Sequence, residues 1–178
     1  MICNAVTRWV ARRLERRMRR IMDARNPDFI IGATEDPYLR RWWVIPRNPF
    51  INVYLHDFRK DDIDRALHDH PFASVSLALS DAPLVEIYAK RERDREMTTL
   101  LPAYRWFEAR RVIRQGCLVY RQGKFAHRMV VPREPALTLF LTGPRFREWG
   151  FWCPKGWVPY REFVDARDHG KVGRGCGE

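Results

Sequence analysis

The stretch Leu67–Ala89, LHDHPFASVSLALSDAPLVEIYA, decides how this chain is read. From Phe72 to Leu79, Val75, Leu77 and Leu79 alternate with Ser74, Ser76 and Ala78, the period-two pattern of a strand with one face buried. Asp81-Ala82-Pro83 is a turn, and Leu84–Ala89 is its hairpin partner, with Glu86 and Tyr88 on one face and Val85 and Ile87 on the other. His68 and His70, one residue apart on an extended segment ahead of Pro71, point to the same side. If the pleat continues, Ser74 and Ser76 share that side and leave room for a ligand.

A third histidine from a neighbouring strand closes a facial set of nitrogens around a divalent metal, and His127 is in place for it. The competing reading is two loop histidines and one unrelated strand histidine. Of the other two of five histidines, His56 alternates with Tyr54 on a strand over Phe50–Phe58, as a structural or a pocket residue, and His169 lies near the end. Glu86 is the one carboxylate inside an apolar strand near the set, so it is a candidate fourth ligand or base, or else an edge-strand ion pair.

Working outward, residues 4–24 form a helix, with Val6, Val10, Leu14, Met18, Ile21 and Met22 at helical spacing and arginines over the rest of its surface. It either packs on the domain or meets a membrane surface or RNA. After Pro27 come eight to ten short strands broken by Pro, Gly and Asp, the pattern of an antiparallel sandwich or barrel, with a double-sheet jelly roll as one solution. Arg59–Arg65 is a loop or single helical turn, and Lys90–Glu96 a solvated hairpin end or an exposed loop. The chain divides into a basic helix packed on the barrel (1–26), one barrel domain (27–164) and a flexible tail (165–178).

The net charge of +11 raises the question of nucleic acid, but only five of the 33 basic residues are lysine, and acidic residues are interspersed after residue 23. Nucleic acid is therefore an unfavoured partner. No stretch has the roughly 18 apolar residues of a membrane span, and no secretory signal is present. Cys3, Cys117, Cys153 and Cys176 form no C-x-x-C pair and no evident disulfide framework, which points to a reducing, cytoplasmic setting.

The pattern resembles the cupin superfamily. His68-x-His70 matches the histidine pair of its first motif, although Asp62 and Asp81 stand in glycine places and Ser74 and Val75 where glutamate is usual. In the second motif Gly116 and His127 keep their separation, while Gln122, Lys124 and Val131 replace Pro, Gly and Asn. The phrases DPYLRRWWVIPRNPFINVYLHDF, DRALHDHPF, FAHRMVV and TLFLTGPRFREWGFWCPKGWVP are similar to those of small uncharacterised cupin-like proteins of bacteria and phages.

The resemblance implies a mainly β, antiparallel double-stranded β-helix, a jelly-roll barrel, behind the N-terminal amphipathic helix. It implies a divalent metal on His68, His70 and His127, with Fe(II) leading and Zn, Mn or Ni as alternatives. A histidine-only set is more similar to thiol dioxygenases than to other branches, so an oxygenase acting on a small or medium organic substrate is expected. Tyr54, His56, Ser74, Ser76, Tyr88, Tyr120, Arg128, Phe140, Arg145 and Trp149 are the candidate pocket residues. A non-catalytic barrel holding a small ligand or nucleotide is the alternative. Aromatic strands and exposed edges also fit a homodimer.

Overall fold

The computed structural model describes residues 1–62, 66–93, 104–131 and 134–177. Helix α1 (Ala5–Ala24) starts at Asn4, whose side chain accepts from the Thr7 backbone N–H at 2.9 Å while Thr7 Oγ1 accepts from the Asn4 N–H at 3.1 Å. This reciprocal capping box satisfies two otherwise orphaned donors. Strands β1 (Phe29–Gly32), β2 (Pro37–Trp43) and β3 (Asn52–Phe58) follow as an antiparallel meander. The chain continues through β4 (Leu67–His68), β5 (Ser74–Ala78), β6 (Leu84–Arg93), β7 (Tyr104–Ile113) and β8 (Leu118–Arg121). It ends in β9 (His127–Val130), β10 (Ala136–Thr142), β11 (Gly150–Cys153), β12 (Gly156–Pro159) and a single turn, α2 (Tyr160–Phe163).

The sheets run β1-β2-β3-β10-β5-β8 and β12-β11-β4-β9-β6-β7, all pairs antiparallel. From β3 to β10 the chain alternates between them, with the β6–β7 hairpin as the reversal point. That interleaving is the double-stranded β-helix that the resemblance implies, and one of the solutions the turn spacing leaves open.

The two faces of the first sheet do different work. Leu55, Leu77, Leu79 and Leu137 pack with Trp42 against Ala11, Leu14, Met18 and Ile21 of α1. Full burial of Leu55 and Leu79 contributes about 1.5–3 kcal/mol each. The alternate residues Tyr54, His56, Ser76, Thr138 and Phe140 line the interior. With its outer face under the helix, this sheet is free to present polar groups inward.

The cysteines overturn the expectation of free thiols. Cys3 is bonded to Cys117 and Cys153 to Cys176. The first pair, 114 residues apart, meets because Ile2 bridges Leu118 at the edge of β8, a contact that sequence spacing does not encode. Paired cysteines remove the cysteine argument for a reducing, cytoplasmic setting. No helix among the described residues is long and apolar enough to cross a membrane.

One other segment differs from the reading of the sequence. Lys90–Arg93 continues β6 against β7 instead of forming a loop, helped by cross-strand contacts such as Lys90 over the Phe107 ring. Residues 94–96 of that charge run, and 63–65 of the run after Phe58, lie outside the described residues. The C-terminal segment is tied down, since Gly170 O accepts from Gly32 N at 2.7 Å, Val172 bridges Val164, and Phe163 O accepts from Gly173 N and Gly175 N.

Candidate metal centre

His68 and His127 are direct partners across β4 and β9, and His70 follows two residues later with its backbone N–H on Gly123 O at 2.9 Å. A Cβ on Gly123 would sit 2.9 Å from His70 O, so this close approach requires glycine. Asp69, between the histidines, points the other way into complete burial. It accepts from Gly150 N at 2.9 Å and Trp157 Nε1 at 3.2 Å, and pairs with Arg147 at 3.0 Å. Arg147 also donates to His70 O at 3.1 Å, so it braces the histidine segment and does not await an anion. The outward aspartate thus pins both inward histidines.

The three rings converge with centroids 5.0–5.2 Å apart, and a ligand nitrogen from each lies within 4.8 Å of the others. His70 Nε2 and His127 Nε2 are 2.9 Å apart. Two nitrogens each about 2.1 Å from one ion at a right angle would stand about 3 Å apart, so this spacing fits a shared metal.

Behind the triad stand two carboxylates. Glu86 Oε1 lies 2.6 Å from His127 Nδ1, and Asp62 Oδ2 lies 3.4 Å from His68 Nδ1. At 2.6 Å the Glu86 carboxylate fixes the His127 tautomer and leaves Nε2 with its lone pair for a metal, whereas Asp62 Oδ2, without a hydrogen bond, acts on His68 by its charge. Glu86 is fully buried, and its oxygens also meet Arg121 Nε at 2.5 Å and Arg111 Nε. Arg121 donates in turn to Ser76 Oγ at 2.7 Å.

Burial works to raise the Glu86 pKa, but the hydrogen bond and charge of His127 and the charges of Arg121 and Arg111 outweigh it and hold it well below the carboxylate range. Burial lowers His127 to about 4 against the raising contact of Glu86, helped by Arg121 and His68. Burial also holds His70 well below its ordinary value, followed by its neighbours His127 and His68. Both imidazoles are neutral at pH 7, as metal ligation requires.

The triad opens into a cavity of about 710 Å³. Of the sequence candidates, Tyr54, His56, Ser76, Phe140, Arg145 and Trp149 line it, and Trp149 also stacks on Tyr160 with centroids 4.8 Å apart. Glu86 is placed behind His127, with its oxygens engaged by Arg111, Arg121 and His127. Ser74 is buried but outside the lining, between Thr142 and Arg121 on the adjacent strands.

Tyr88 stacks on Phe125 away from the cavity. Tyr120 is 60% exposed on the outer face of β8, and Arg128 necessarily faces away from the adjacent His127. The sequence reading missed Asp62, Arg41 and Arg121. For Arg121 a signal was present, because it shares a face with the buried Val119 while Tyr120 takes the other.

Interleaved sheets with three histidines turned inward from β4, the turn after it and β9 define a double-stranded β-helix with a candidate metal cluster in its interior. No family model and no curated protein matches the chain. Among solved structures it is similar to the DMSP lyase DddQ from Ruegeria pomeroyi DSS-3, at 14% identity and TM-score 0.42 over 64% of this chain and 50% of that one. It is similar to Streptomyces albus HEPD with 2-hydroxyethylphosphonate and Fe(II) bound, at 13% identity and TM-score 0.46 over 66% of this chain and 24% of that one. A cupin domain from Bordetella pertussis is also similar, at 12% identity and TM-score 0.41 over 62% of this chain and 98% of that one. The chain spans about half the length of the DMSP lyase it matches.

Proposed function

We propose that this chain is a mononuclear metalloenzyme in which His68, His70 and His127 hold one divalent ion, Fe(II) in the first instance, for an oxygenase reaction on a small organic substrate. The observation that carries the reading is the convergence of three imidazoles, of which His70 and His127 are held neutral, with carboxylates beside Nδ1 of His68 and His127. A set of three imidazoles without a fourth protein ligand among the described residues would leave positions open for substrate and O₂. Bound Fe(II) would supply reactivity toward O₂. The dioxygenase form balances without an added reductant, since both oxygen atoms enter the substrate and the substrate supplies the electrons.

The protein's own groups set the conditions. Glu86 keeps the His127 proton on Nδ1, while Arg121 and Arg111 keep Glu86 ionised. Phe72, Phe140 and Trp149 give an apolar wall that limits water beside the triad. The cavity volume suits a small or medium molecule.

The test is metal content by mass spectrometry on untagged protein, beside a His68→Ala/His127→Ala variant shown to be folded. About one ion per chain in the parent and none in the variant is the expected result. Failure of the parent to retain metal after anaerobic Fe(II) reconstitution would overturn the reading and leave a ligand-binding barrel. With iron in place, substrate-dependent O₂ uptake that the variant lacks tests the oxygenase step.

A further inference from the structure

The cavity beside the triad carries a positive charge that metal binding does not use. Its charged lining is Arg41, Arg47, Arg121, Arg145 and Lys171 against one carboxylate, Asp62. Arg121 is matched by Glu86, and Lys171 by Asp168 at 3.1 Å. Arg47 and Arg145 are exposed, and Arg47 rests over the Trp43 ring.

Arg41 is different. It projects from β2 with its guanidinium 5.3 Å over the Tyr54 ring and 5.9 Å from that of Phe29. Its Nε donates to His56 Nε2 at 2.9 Å, and among the described residues it forms no ion pair. The terminal nitrogens make no hydrogen bond to the described residues. His56 is itself buried and stacked between Tyr54 and Phe140, so it can accept this bond only as a neutral ring. Arg41 is half-buried, and a guanidinium drawn partly out of water without a counter-charge among the described residues is costly in a way that an anion in the cavity would relieve. Here one bond fixes the fork, and its two outer nitrogens remain for a planar or tetrahedral anion.

An aromatic track leads from that fork to the triad. His56 stacks on Phe140 with centroids 5.0 Å apart, and Phe140 lies 5.8 Å from His70. We infer that the cavity binds an organic anion, with its carboxylate, phosphonate or phosphate on the Arg41 guanidinium and its apolar body along Tyr54 and Phe140, so that its far end meets the histidine triad. Which end reacts rests on the metal reading. The pairing with Arg41 does not.

The experiment therefore uses the full, disulfide-bonded chain freed of metal with EDTA. Calorimetric titrations with phenylacetate, benzylphosphonate and the neutral isostere phenylacetamide compare the two anion types with an uncharged body. The anion matching the site should bind roughly 10- to 100-fold more tightly than the amide, as a charge-assisted hydrogen-bonded pair implies. Arg41→Gln should erase that preference while leaving the metal content of the reconstituted protein unchanged, and Arg41→Lys should keep part of it. The His68→Ala/His127→Ala variant should lose metal and keep the preference, so the two readings fail separately.

Equal binding of acid and amide by the parent, or no binding of any of the three, overturns the proposal even if Arg41→Gln fails to fold. A preference that survives in folded Arg41→Gln also overturns it. If Arg41→Gln does not fold, unchanged preference in Arg41→Lys counts the same way, because a point charge on a shorter reach cannot reproduce the fork.

Discussion

Replacing Glu86 with glutamine removes one charge from the most enclosed polar cluster of the protein. The carboxylate has no solvent exposure and faces Arg121, whose side chain is 2% exposed, and Arg111, whose side chain is 21% exposed. Removing one partner of a buried pair costs about 3–5 kcal/mol, because the remaining charge stays desolvated. Arg111 can turn partly to water, whereas Arg121 cannot and, among the described residues, keeps Ser76 as its hydrogen-bond partner. The loss therefore falls within that range, and not at twice its value for two arginines. For a chain of this size it lowers Tm by roughly 6–20 °C, at about 2–4 °C per kcal/mol.

Urea unfolding of the metal-free, oxidised protein, followed by circular dichroism and tryptophan fluorescence, should show a lower midpoint with an unchanged slope. A second arm isolates the charge, since Glu86→Leu/Arg121→Met should be less destabilised than Glu86→Leu alone. Because Glu86 also orients His127, metal affinity should fall about 10- to 100-fold in Glu86→Gln. A stability loss under about 1 kcal/mol would falsify the view that Glu86 is the counter-charge for Arg121.

Three further outcomes follow from the same geometry. His127 titrates near 4 in the folded chain against an ordinary 6.5, so the unfolded chain takes the proton first; its contribution to stability is complete above 6.5 and falls by about 3 kcal/mol as the pH drops toward 4, and the buried His70 and His56, both held well below their ordinary value, add losses of the same sign. Glu86, lowered well below its ordinary value, stays ionised through that window, and a flat stability profile between pH 7 and 4 in the metal-free protein would refute the burial of His127. Cys3→Ser opens a cross-link spanning 114 residues and should cost about 2–5 kcal/mol, with earlier tryptic cleavage at the arginines of α1; unchanged digestion would show that the helix holds without it. Gly116 has φ +81° and a Cβ there would lie 2.7 Å from Arg8 N, so Gly116→Ala should cost at least about 1–3 kcal/mol; a neutral result by urea unfolding would refute that close approach.

How far the sequence could be read depended on whether a feature is periodic or spatial. The alternation in 72–79 and 136–142 gave the strands and their faces, because burial on one side imposes a two-residue period. The histidine pair was legible for the same reason, since one residue of spacing on extended chain fixes a shared side. Parity should also have excluded Tyr120 and Arg128, which sit next to inward residues and must face out. The disulfides and the tied C-terminal segment were not legible, because chain ends meet the barrel through single bridges without any repeating pattern. Glu86 stood out correctly as a carboxylate needing partners, yet its role depended on two arginines and a histidine from three other strands.

Charge shows most clearly where whole-chain numbers mislead. The net charge of +11 invites a search of the surface, and the arginines of α1 contribute much of it. Those arginines are mostly exposed, and their helix is occupied on its apolar side by the first sheet. The arginines that bear on chemistry are few and turned inward, and their significance lies in pairing. Arg121 and Arg111 are spent on keeping Glu86 ionised, which keeps the proton of His127 off Nε2. Arg41 is held by a neutral histidine, which leaves its charge for whatever enters the cavity. One barrel interior thus holds a nitrogen-rich centre whose counter-charges are already matched and a guanidinium whose counter-charge must come with a ligand.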